Sequence, residues 1–159
     1  MRRFILVWLL SVSQLWAQSP RTLAEEHIGR RMLESYLHKP LPEVLRLVDQ
    51  LPANQRRTIG KSILLNLYGH NYDTTLTHDE REVQTFTRVF YDDETAPDFF
   101  ADIEKLGKKV YHLRKIQSGA KPGTFHEFEF KDLGLFFRFN QSKKIEVITV
   151  KKLKGSVKT

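Results

Sequence analysis

Between Thr124 and Asn140 the side chains change character at every step. His126, Phe128 and Phe130 fall on one side of an extended chain, and Phe125, Glu127, Glu129 and Lys131 on the other. Leu135, Phe137 and Phe139 then alternate with Phe136, Arg138 and Asn140. A period of two marks β-strands, whose successive side chains leave opposite faces. Asp132-Leu133-Gly134 and Gln141-Ser142-Lys143 are turn signals between the runs. Val110 to Gln117 reads as a preceding strand, joined through residues 118–123, and Ile145 to Leu153 as a closing one. The spacing predicts an antiparallel meander of about four strands over residues 108–153.

Upstream of Lys108 the spacing is helical. Leu23, Ile28, Met32 and Tyr36 share one face, until Pro40 and Pro42 stop the helix. Val44, Leu45, Val48 and Leu51 give a short second helix, broken by Pro52. Ile59, Ile63, Leu64 and Leu67 predict a third, capped by Gly69. Thr77-His78-Asp79-Glu80 has the form of a capping box, and Val83, Phe86, Thr87 and Phe90 continue it over residues 78–91. The strand formers Thr85, Phe86, Thr87, Val89, Phe90 and Tyr91 support a strand in the same place. Helix is the preferred reading there. Thr95 and Pro97 open a last helix, with Phe99, Phe100, Ile103 and Leu106 inward and Gly107 at its end.

The fold class that follows is α+β, with helices over residues 22–106 packed on one face of the meander. The first residues have another role. Met1-Arg2-Arg3, the apolar run Phe4 to Val12 and the small Ala17 follow the order of a secretory signal peptide, residues 1–17. Residues 18–159 then form one domain, of a length that suits a single core. No stretch of that mature chain is apolar enough for a transmembrane segment. The chain contains no cysteine, so thiol chemistry, disulfides and cysteine-based zinc sites are excluded. Export without disulfides points to a bacterial periplasm or secretion from a bacterium. All ten phenylalanines beyond Phe4 lie between Phe86 and Phe139, which places the densest core where the late helices meet the sheet.

Charge is polarised. Residues 73–104 carry 10 acidic and 2 basic groups, whereas residues 105–159 carry 14 basic and 4 acidic. Arg114, Lys115, Arg138, Lys143, Lys144, Lys151 and Lys152 are the candidate partner-binding residues, on a basic sheet surface suited to an acidic protein or an anionic envelope component. The plain alternative is a lysine-guarded edge strand. Nucleic acid is not expected, because Leu135 to Phe139 departs from the aromatic pattern of RNA-binding sheets and export separates the two.

Two weaker patterns complete the reading. His126, Glu127 and Glu129 could serve a small hydrolase as acid–base groups, although the alternation points His126 away from both glutamates. Asn71, Asp73, Asp79 and Glu82, with Thr75, sit at calcium-loop spacing, but Leu76 stands where the sharp turn wants glycine and Asn71 where the first ligand is usually Asp. No cofactor signature is present: phosphate loops, nucleophile elbows and His-x-x-x-His pairs are all missing. The function expected is non-enzymatic binding, with the hydrolase and the calcium-responsive module as alternatives.

Overall fold

The meander expected over residues 108–153 forms, and its four strands are half of a larger sheet. The computed structural model describes residues 19–92, 96–119 and 121–154. Residues 1–17, the cap Thr95, the acidic Asp93 and Glu94, and the tail from Gly155 lie outside them. The order is α1 (Pro20–Ile28), α2 (Arg30–Tyr36), α3 (Leu41–Gln50), β1 (Arg56–Ile59), β2 (Ser62–Leu65), β3 (Thr74–His78), β4 (Val83–Val89), α4 (Phe100–Gly107), β5 (Tyr111–Ile116), β6 (Gly123–Phe130), β7 (Leu135–Phe139) and β8 (Ile145–Lys151).

All eight strands join one antiparallel sheet in the order β1-β2-β3-β4-β8-β7-β6-β5. It consists of two four-stranded meanders joined side by side through β4 and β8. The connection through α4 carries the chain from the centre to the far edge.

Three expectations are corrected. The sheet has eight strands, not about four. The helix expected around Ile59 to Leu67 is the β1–β2 hairpin, turned at Gly60, whose φ of 56° suits a residue without a side chain. Ile63 and Leu65 point inward at a period of two and are fully buried. The helix over 78–91 is β4. Thr77 caps nothing, and its hydroxyl meets that of Thr85 across the strand pair. The strand formers prevail because β3 and β8 flank this segment and satisfy its backbone on both sides.

The first helix is also divided. Gly29 sits at φ 100°, where the chain breaks between α1 and α2. The Ser19 hydroxyl accepts the Thr22 amide at 3.2 Å and starts α1, with Pro20 in its first turn. Pro42 likewise lies in the first turn of α3.

The sheet has two unlike faces. Leu76, Phe86, Val150 and Leu135 form one register row, all buried under the helices. Phe128, Phe137 and Phe139 lie on the same side and meet Phe99 and Phe100 edge to face, at centroid distances such as 5.4 and 5.0 Å. Burial of such a ring is worth about 1.5–3 kcal/mol. The other face is open. Its central row, Leu64, Thr75, Thr87, Thr149 and Phe136, is partly exposed and outside the core cluster.

Candidate functional site

Strand alternation decides which candidate residues can meet. His126 lies on the helix-covered face, its ring against Phe100 at 5.2 Å and its Nδ1 2.9 Å from the Tyr111 hydroxyl. Glu127 lies on the open face. There Arg138 donates Nε and Nη2 to one carboxylate oxygen at 2.9 and 2.7 Å, and Arg114 stands 3.6 Å from the other. Glu129 shares the open face with Glu127, one register pair further along. The structure therefore does not bring His126 together with either glutamate. Glu127 is buried and committed to an ion cluster that joins β5, β6 and β7.

The calcium-loop residues are occupied otherwise. Asp73 is fully buried, and its carboxylate accepts the amides of Leu67, Tyr68 and His70 and the hydroxyl of Thr74. Asp79 accepts the Arg81 and Glu82 amides at 2.7 and 2.8 Å and the Gln84 side chain at 2.9 Å. Those backbone hydrogen bonds hold its carboxyl below the usual range. Glu82 pairs with the Lys152 ammonium, which lowers its carboxyl likewise. The Asn71 carbonyl accepts the Tyr91 hydroxyl. Residues 71–82 contain strand β3 and the start of the turn into β4, so the helix–loop–helix frame is absent. Among the described residues no three His, Asp or Glu side chains are grouped to hold a metal ion.

The candidate partner-binding residues do not form one patch. Arg114 and Arg138 lie on the open face beside Glu127. Lys151 is on the same face at the opposite end of the sheet, in register with Thr85. Lys152 is bound to Glu82, with its side chain only 11% exposed. Lys143 reaches over the Phe100 ring on the helix side, 5.1 Å from its centroid. Lys115 also points to the helix side, and Lys144 is exposed beside the β7–β8 turn.

The densest cationic region is elsewhere. Residues 105–126 contain six basic and no acidic side chains. They run from the end of α4 through β5 into β6. Lys105, Lys108, Lys109, Arg114, Lys115 and Lys121 are all exposed. Leu106, which helical spacing placed inside, is 47% exposed, and Tyr111 and Leu113 of β5 are 37% and 52% exposed. α4 packs on β6, while Tyr111 and Leu113, on the same side of the neighbouring β5, stay exposed. The sequence signal was available: the unbroken acid-free stretch marks the region better than the lysines of the last hairpin.

A cleft of about 330 Å³ adjoins this region, lined by Ile116, Lys121, Phe125, Arg138, Glu146 and Val147 among others. Glu146 sits where the β7–β8 register shifts, an extra residue between the pairs Arg138–Val147 and Phe139–Ile145. Burial pushes its carboxyl above the usual range, against the pull of Lys121 and Arg138.

No protein-family model matches this chain, and neither the curated proteins nor the solved structures show a match to it.

Proposed function

We propose that this chain is an exported, non-enzymatic binding protein that engages an acidic partner through the cationic rim of its sheet at β5. The observation that carries the reading is the run of six exposed cations over residues 105–126, a stretch of sequence without an acid, together with the exposed apolar surface of Leu106, Tyr111 and Leu113. A cationic surface attracts anions at long range, and adjoining apolar area supplies contact energy that survives salt. The separation of His126 from Glu127 and Glu129 favours binding over acid–base hydrolysis. The signal-like residues 1–17 support export, to a bacterial periplasm or beyond.

The first test is fluorescence anisotropy with a labelled polyglutamate probe at low and high salt. Binding that weakens with salt is expected. The variant carrying Lys108→Glu, Lys109→Glu and Lys115→Glu should lose it while melting normally. Undiminished binding by that variant overturns the proposal. Export is tested separately by N-terminal sequencing of the protein from source cells, where a mature end at Gln18 is expected.

A further inference from the structure

We propose that β5 is an open docking edge that takes up an extended acidic segment of a partner polypeptide as a ninth strand. This rests on the cationic-rim reading and specifies its partner and mode.

β5 ends the sheet. Among the described residues it pairs only with β6, in an unbroken register from Tyr111–Phe128 to Ile116–Gly123. In an antiparallel pair every second residue turns its N–H and C=O away from the neighbour, so about three of the six residues offer theirs outward. Natural sheets usually blunt such an edge with proline, a bulge, a very short strand or charge. The other edge, β1, has four residues, is joined closely to α3 through residues 53–55, and is tied to it by the Arg56–Asp49 ion pair. β5 has no proline, no bulge and no covering element among the described residues. Its guard is charge alone.

A guard of one sign is selective. Arg114, Lys115, Lys108 and Lys109 repel the β5 edge of a second copy, which carries the same cations. The same side chains attract an acidic strand. The chain's own undescribed ends do not fit: residues 1–18 and 155–159 contain no Asp or Glu.

The side-chain alternation of β5 further defines the occupant. Tyr111, Leu113 and Lys115 point to the helix side. His112, Arg114 and Ile116 point to the open side. An added strand shares this alternation. Its matching pattern is apolar residues facing Leu113 and Tyr111, alternating with carboxylates facing Arg114 and His112. Backbone hydrogen bonds supply affinity, and the two rows supply selection.

The test uses the purified chain and a labelled nonapeptide of alternating valine and glutamate. A second peptide has the same sequence with alternate backbone amides N-methylated, which keeps its charge and removes strand donors. The unmodified peptide should bind, and the methylated one at least 10-fold more weakly. Hydrogen exchange should slow at the outward amides of β5. Lys109→Glu with Lys115→Glu should weaken binding at least 10-fold without changing the melt. Equal affinity for both peptides overturns strand addition but leaves the cationic rim standing. Binding to phosphatidylglycerol vesicles without peptide binding places a lipid surface there instead and also overturns it. Self-association of the chain that Arg114→Glu abolishes assigns the edge to a second copy, with the same consequence. No binding of the peptides, the vesicles or polyglutamate at low salt removes both proposals.

Discussion

Replacing Asp73 with Ala should loosen the β2–β3 connection at a large cost. The carboxylate is fully buried and holds the amides of Leu67 at 2.9 Å, Tyr68 at 2.8 Å and His70 at 3.0 Å, with the Thr74 hydroxyl also at 3.0 Å. A hydrogen bond to a charged group contributes roughly 1.5–3 kcal/mol. Three amide bonds would total roughly 5–9 kcal/mol if additive. The amides are only part-buried, and water can replace some of the loss once the loop relaxes. About 3–5 kcal/mol is therefore expected, a large share of the roughly 5–15 kcal/mol that stabilises a domain. At about 3 °C of Tm per kcal/mol for a chain of this size, the drop is on the order of 10–15 °C. Asp73→Asn keeps one acceptor oxygen and should lose about half as much. Thermal melts by circular dichroism, in excess calcium and in chelator, measure all three proteins. Calcium should leave every melt unchanged, because this carboxylate is already occupied. A loss below about 1 kcal/mol for Asp73→Ala, or a calcium-dependent Tm that Asp73→Asn abolishes, would refute the reasoning.

Glu146→Gln should raise Tm at neutral pH. Burial raises the Glu146 carboxyl in the fold, so its contribution is full below the unfolded value near 4.5 and is lost as pH rises through the folded one. The gain from Gln should accordingly shrink in melts taken below pH 4.5. Glu127→Gln leaves Arg138 and Arg114 facing a neutral amide and should cost about 1–3 kcal/mol in urea unfolding. Glu127→Leu with Arg138→Met should recover most of that loss, since a packed apolar pair replaces a buried ionic one. Gly107→Ala places a methyl 2.9 Å from both the Phe128 and Phe130 rings and should destabilise by about 1–3 kcal/mol through overpacking. An unchanged melt there would show that the two rings yield freely.

Half of the sheet was legible in the chain because its signals are local, whereas of the cationic rim only Arg114 and Lys115 were among the expected residues. The alternation of Thr124 to Asn140 defines β6 and β7, and it alone sends His126 and Glu127 to opposite faces. Pro40, Pro42 and Pro52 bound α3 within a residue or two, through the missing amide and fixed φ of proline. The absence of cysteine removed a whole chemistry. The first four strands were hidden. Phe86 and Phe90 recur at helical spacing, and Ile59 and Ile63 do the same, so local pattern fits helix and strand alike.

Only the tertiary structure resolves that ambiguity. Thr87 pairs with Thr149 across 62 residues of sequence, and the hydrogen bonds of such distant neighbours hold β4 extended. The same long-range order decides which strand is last. Nothing local to Tyr111–Ile116 shows that β5 pairs on one side only, and the lysines before and after β8 gave no sign of falling at opposite ends and faces. The residues determined the period, the breaks and the charge. Edges and surfaces came from pairings between segments far apart in the chain, which no local propensity encodes.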